Sequence, residues 1–142
     1  MSWRSFSRVF LDTAPVVYFV ERNQKFFSLV EPIFDAPDNG ALEVVTSPVT
    51  LAECLIMPLR QAQATLIKDF AELIVNGFGV TCLSIDVGIA ERAARLRAQY
   101  NLQLLDALQI AMAIESGCDA FLTNDTFLKR VTDIRILLIS EL

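Results

Sequence analysis

Five short apolar runs alternate with stretches of helical periodicity, and this alternation constrains the fold more than any other feature. The runs occupy residues 8–11 (RVFL), 41–46 (ALEVVT), 80–85 (VTCLSI), 119–123 (DAFLT) and 134–140 (IRILLIS). Each reads as a strand. Strands that alternate with helices imply a parallel sheet covered by helices on both faces. The fold class expected is therefore α/β, a parallel five-stranded sheet flanked by helices on both faces. At 142 residues, the chain suffices for a single domain over 1–142 and is too short for two ordinary ones.

Local signals punctuate this pattern. Asp12 closes the first run, and Thr13, Ala14 and Pro15 follow; proline is favoured in the first turn of a helix. Residues 24–36 carry Phe26, Phe27, Val30, Ile33 and Phe34 at helical spacing, with Pro32 expected to shorten or kink the helix. A loop is expected over 37–40. After the second run, Thr50-Leu51-Ala52-Glu53 has the form of a capping box that opens a helix. Pro58 is expected to interrupt it, with another helical stretch over roughly 60–75. Asp86 is placed to cap a helix over 87–100 that Asn101 ends. Residues 105–116 are apolar nearly all round, which marks a central, buried helix, and Gly117 is in position to stop it. A helical turn is expected over 125–129.

The composition narrows the chemistry. The chain has no histidine, which removes Ser-His-Asp and Cys-His mechanisms. Cys54, Cys82 and Cys118 share no CxxC spacing; they argue against zinc and are read as reduced core residues. An enzyme built from this sequence must work through carboxylates, hydroxyls or an ion held by oxygen. The net charge of −5 lacks the basic footprint of a tight, non-specific nucleic-acid binder. It leaves room for an enzyme that grips a few phosphates through metal ions. No run reaches the length of a transmembrane span, and the N-terminal stretch lacks a signal-peptide cleavage pattern. A cytoplasmic protein is expected. A mean hydropathy of +0.45 suggests that a partner covers part of the apolar surface.

Four acids stand at the junctions where open parallel sheets place their sites. Asp12 follows the first strand, Glu53 lies in the helix after the second, Asp106 opens the buried helix, and Asp125 follows the fourth strand. Singly, each has a structural explanation: Asp12, Asp106 and Asp125 as caps or first-turn acids, Glu53 as the partner of Thr50. Together they would repel one another unless a cation neutralised them or some stayed protonated. Oxygen-only ligands suit Mg²⁺ or Mn²⁺, which can support phosphodiester hydrolysis. The remaining acids, such as Glu21, Asp69, Glu72, Glu91 and Glu141, read as ordinary solvated charge.

The segments FLDTAPVVYF, VTLAECLIMPLR and LLDALQIAMAIESGCDAFLTND resemble, in order and spacing, PIN-domain ribonucleases, in particular the VapC-type toxins of toxin–antitoxin pairs. The likeness spans about residues 8–139. It implies a five-stranded parallel sheet, Mg²⁺- or Mn²⁺-dependent cleavage of RNA, a homodimer, and inhibition by a small antitoxin. Carried onto this chain, it makes Asp12, Glu53, Asp106 and Asp125 the metal-binding and catalytic acids. It makes Thr13 and Asn124 supporting groups around them. Ala14 departs from the small polar residue common in the family. Basic residues near the motifs are few, with Arg60, Lys129 and Arg130 the candidates for phosphate contact. Setting the four acids aside leaves the chain almost neutral, which favours a short, structured RNA such as tRNA over a long non-specific track.

Two other readings compete. One is a PIN-like binding module that sequesters a protein or RNA without cutting. The other is a different acid-rich α/β protein, a haloacid-dehalogenase-like phosphatase or a receiver domain. Asp12-Thr13-Ala14 lacks the Asp-x-Asp of the first and the early acid pair of the second.

Overall fold

A computed structural model describes residues 3–142. The five expected strands are present: β1 (Arg8–Leu11), β2 (Glu43–Thr46), β3 (Val80–Cys82), β4 (Ala120–Thr123) and β5 (Arg135–Leu138). All pair in parallel, in the order β3-β2-β1-β4-β5. The helices are α1 (Thr13–Val20), α2 (Phe27–Asp35), α3 (Pro48–Arg60), α4 (Ala64–Asn76), α5 (Val87–Tyr100) and α6 (Leu104–Glu115).

Alternate side chains of a strand point to opposite faces, and both faces of this sheet are covered. Val9, Leu11, Val44 and Leu122 join Val16, Val30, Ile33, Phe70 and Ile74 in one core, under α1–α4. Phe10, Val45, Phe121 and Ile136 face the other way, into a core completed by Ile89, Ala93, Leu96, Ile110 and Met112 of α5 and α6. Phe10 lies opposite both Val45 and Phe121 in the register. Its ring stacks on Phe121 with centroids 5.4 Å apart. Helix α6 is buried as expected, with Ala107 and 109–113 all inaccessible.

Strand β1 is the centre of the sheet. From it the chain moves outward through β2 and β3, then crosses back to place β4 on the other side. The strand order reverses beside β1, and open sheets bind ligands beyond the carboxyl ends of the strands at such a switch point.

Several local expectations are corrected. Helix α3 opens at Pro48, two residues before Thr50, because Ser47 is its N-cap and accepts from the Thr50 amide at 3.2 Å. Pro48 then occupies the favoured first position. The capping box expected from Thr50 and Glu53 does not form. Pro58 is carried inside α3, which continues to Arg60. The buried Pro58 side chain is retained in the packing, and its carbonyl accepts the Gln63 amide at 2.9 Å to turn the chain into α4. Pro32 is likewise accommodated within α2, which starts at Phe27. The segment expected as a loop from 37 is a 3-10 turn, Ala36–Asn39, closed by Gly40 at φ 67°. Asp86 caps α5 by accepting from Ile89 N, and Gly117 follows α6 at φ +73°, both as expected. Of the three cysteines only Cys54 is buried; Cys82 and Cys118 are half-buried, and all three are free thiols.

Candidate metal centre

Asp12 sits at the end of the central strand. Its amide still donates to Leu122 O across the β1–β4 ladder at 2.9 Å, while its side chain caps α1. Asp125 lies two residues past the end of β4 and caps a 3-10 turn, Thr126–Arg130, by accepting from Phe127 N at 3.0 Å. Asp106 lies in the first turn of α6. Glu53 lies in the second turn of α3, where it is exposed. Four separate elements thus send one acid each to the carboxyl edge of the sheet.

Asp12 is clamped. Its Oδ1 accepts from Thr13 N at 2.8 Å and from Gln109 Nε2 at 3.0 Å. Its Oδ2 accepts from Thr123 Oγ1 at 2.7 Å. The Thr123 hydroxyl in turn accepts from Asp125 N at 3.1 Å, so one relay connects two of the acids. Thr13 connects Asp12 to a third. Its amide donates to Asp12 and its hydroxyl to Glu53 Oε1 at 2.7 Å.

Gln109 joins a further element to this frame. It is 1 % exposed. Its Oε1 accepts from Ser47 Oγ at 2.6 Å and Thr50 Oγ1 at 2.8 Å, while its amide donates to Asp12. The N-terminus of α3 and the end of β1 are therefore tied through one side chain of α6. A buried polar group without partners costs roughly 1–3 kcal/mol; here each hydroxyl and the amide has one. Gln109, Thr123 and Ser47 are not among the residues singled out from the sequence, and Thr50 is read there only as a helix cap. Gln109 carried a readable signal: it is the only polar side chain in 107–114, three residues past Asp106 and hence on the same helix face.

The electrostatics fit a site for a hard cation. Burial pushes the Asp12 carboxyl above its ordinary range, and the charges of Glu53 and Asp125 add to the effect against the hydrogen bonds that lower it. Asp106 is pushed up to about 6, by burial first and then by Asp12, Asp125 and Glu53. Each acid is thus close enough for its charge to be felt at Asp106. The donors are all oxygen, the set preferred by Mg²⁺ and Mn²⁺. The carboxylates stand apart rather than clasped: among the described residues, no three acids or thiols lie close enough to grip one ion as they stand.

The PIN-domain family model matches residues 9–134, a span that includes all four acids. This chain belongs to the PIN-domain family. Comparison with curated proteins gives no match. Solved structures similar to this PIN domain include VapBC2 from Rickettsia felis bound to a DNA fragment from its promoter, at TM-score 0.72 and 14 % identity, covering 92 % of this chain and 98 % of that one. The sarcin-ricin-loop-cleaving toxin VapC20 from Mycobacterium tuberculosis superposes at 0.69 with 15 % identity, covering 89 % and 98 %. FitAcB from Neisseria gonorrhoeae does so at 0.66 with 21 % identity, covering 94 % and 99 %. These likenesses extend over nearly the whole PIN fold.

The expected supporting residues of the PIN domain divide. Thr13 bonds two of the acids, as described. The Asn124 side chain makes no hydrogen bond to them among the described residues; its Nδ2 donates to Tyr18 Oη at 3.0 Å, tying the turn after β4 to α1. Among the basic residues, Lys129 pairs with Glu141 at 2.6 Å. Arg60 stands at the far end of α3, seven residues and about 10 Å of helix beyond Glu53. Arg130 lies in the turn that Asp125 caps.

Proposed function

We propose that this PIN-domain chain is a metal-dependent endoribonuclease, the toxin of a toxin–antitoxin pair, acting in the cytoplasm. Asp12, Glu53, Asp106 and Asp125 hold one or two Mg²⁺ or Mn²⁺ ions. The carrying observation is the convergence of four carboxylates, from four elements, on the carboxyl edge beyond β1, with two of them half-buried beside like charge. A divalent ion held there neutralises these acids and supplies Lewis-acid assistance to phosphodiester hydrolysis.

The chain's own residues set the terms of that chemistry. Thr13, Gln109 and Thr123 fix both oxygens of Asp12. Thr13 also fixes Glu53. Asp106 accepts no hydrogen bond from the described residues, and without metal its carboxyl is raised to about 6, by burial first and then by the neighbouring acids. It is therefore the acid that gains most from a bound cation.

The partners follow from the same reading: an RNA substrate, a small antitoxin and a second copy of the chain. Support comes from the structural neighbours, which include a toxin–antitoxin complex from Klebsiella pneumoniae. Exposed Ile56, Met57 and Leu59 near the end of α3 give a protein partner apolar surface to cover. Among the described residues, no helix is long and apolar enough to cross a membrane.

The test is cleavage of total RNA and of tRNA with Mg²⁺ or Mn²⁺, with EDTA, and with Asp12→Asn. Cleavage that requires the metal and disappears in the variant is expected. Equal cleavage by Asp12→Asn under metal would sink the mechanism. The same apolar surface and sparse basic charge favour one other reading, a sequestering module. Calorimetry that detects partner binding and no metal binding would select it.

A further inference from the structure

Next to the acids stands an aromatic ring that neither the core nor the carboxylate site uses. Phe127 is 41 % exposed, although its neighbour Leu128 is fully buried. Its backbone amide is the donor that caps Asp125, so the ring belongs to the residue that fixes one of the four acids. The Arg130 guanidinium lies over the ring, Cζ 3.3 Å from the centroid. Arg130 Nε donates to Phe127 O at 3.2 Å, and Nη1 reaches Tyr100 O, at the end of α5, at 3.4 Å. Among the described residues, Nη2 makes no hydrogen bond. Arg130 covers one face of the ring, and the residue still keeps 41 % of its surface exposed.

We propose that Phe127 and Arg130 form a substrate-positioning lip: an unpaired nucleobase stacks on Phe127 and Arg130 takes an adjacent phosphate oxygen. The inference rests on the ribonuclease reading above and gives it a place for substrate outside the acids. Three observations carry it. An exposed aromatic face is a surface on which any base can stack. A guanidinium held flat has its donors fixed in one plane, which suits phosphate oxygens. The other two basic candidates are placed differently, Lys129 paired with Glu141 and Arg60 far along α3. In a chain with net charge −5, stacking compensates for scarce electrostatic attraction. Stacking also requires a base free of its helix, so the preferred substrate is a loop or single strand.

The experiment separates binding from chemistry. In full-length protein carrying Asp12→Asn, with Mg²⁺ present, binding of a labelled RNA hairpin with an unpaired loop is followed by fluorescence anisotropy. Phe127→Leu keeps apolar volume and removes the aromatic face; it weakens binding on the order of 10-fold. Phe127→Tyr restores it. Arg130→Gln lowers the salt dependence by about one phosphate contact. In the cleaving protein, Phe127→Leu raises KM by a similar factor and leaves kcat within about twofold, since the backbone amide that holds Asp125 is retained. A role confined to supporting Asp125 would lower kcat instead. Unchanged affinity and KM in Phe127→Leu, with wild type cleaving normally, overturns the lip alone. Wild-type protein that neither binds nor cleaves RNA overturns the ribonuclease reading and the lip with it. Should leucine unfold the turn, Phe127→Trp decides: tighter binding supports stacking, and equal or weaker binding rejects it.

Discussion

Asp12 at the end of β1 and Asp106 at the start of α6 are both half-buried acids with raised proton affinity, yet their surroundings are opposite. Asp12 accepts three hydrogen bonds, from Thr13, Gln109 and Thr123. Asp106 accepts none from the described residues, and the Asp12 charge is the strongest of those that raise its proton affinity. A carboxylate that is donated to from several sides has a fixed orientation. One that is buried beside like charge, without donors, is held in place by its helix alone and gains most from a proton or a cation. The strand end supplies a rigid anchor, and the helix start supplies the responsive group.

The largest effect expected is on activity. Asp12→Asn and Asp106→Asn each lower metal-dependent cleavage more than the roughly 10- to 100-fold typical of groups that only orient a ligand, measured as single-turnover rates in Mn²⁺. Stability separates the two. Asp106→Asn removes a poorly solvated charge and raises the metal-free melting temperature by about 3 °C, on the order of 1 kcal/mol after discounting for partial exposure. Asp12→Asn takes an anionic acceptor from three donors and gives no such gain. A stabilised Asp12→Asn would erase the contrast.

Gln109→Leu comes next. It leaves the Ser47 and Thr50 hydroxyls without their acceptor, at roughly 1–3 kcal/mol in urea unfolding, and frees Asp12, at about 10- to 100-fold in cleavage. Normal activity in a stably folded Gln109→Leu would mean that Asp12 needs no orientation. The pH response is smaller. The Asp106 carboxyl is raised in the folded state to about 6, so the folded protein binds more protons than the unfolded chain between about pH 4 and 6. Metal-free stability therefore falls as pH rises through that window. Asp12 is shifted in the same direction, so Asp106→Asn should make the slope shallower without abolishing it. A metal-free stability that rises across this window would contradict the assignment. The smallest effect is that of Thr13→Val, which removes the hydroxyl bond to Glu53 and keeps the amide bond to Asp12. A loss of about 10-fold or less is expected; a loss equal to that of Asp12→Asn would give Thr13 a larger role.

The sheet and the four acids were legible because their signals are local: apolar runs give strands, and an acid at a strand or helix end is visible by position. The supporting frame was not, because its partners lie far apart in the chain. Thr123 and Asp12 are separated by 111 residues, and Gln109 and Ser47 by 62. The start of α3 was misplaced because two caps competed. Thr50 and Glu53 satisfy the local pattern, but Thr50 turns to Gln109 and Glu53 to Thr13, leaving Ser47 to cap the helix. Pro58 misled in the same way, since the local rule against an internal proline gives no weight to burial of its ring. Asn124 was assigned to the acids by its place in the turn, whereas its amide reaches Tyr18.

The position of β1 at the middle of the sheet also sets an order of assembly. The first strand of the chain cannot gain its second neighbour until β4 exists, and residue 122 is its partner in the ladder. During synthesis, Asp12 and Glu53 emerge long before Asp106 and Asp125. Long-range pairing of this kind is slow, because a large loop must close before contacts reward it. The proposed site is thus assembled only once residues 106–125 have been made and β4 has paired with β1. A nascent fragment that stops before α6 carries half of its acids and lacks Gln109 and Thr123, two of the three residues that hold Asp12, so such a truncated product is expected to be inert toward RNA.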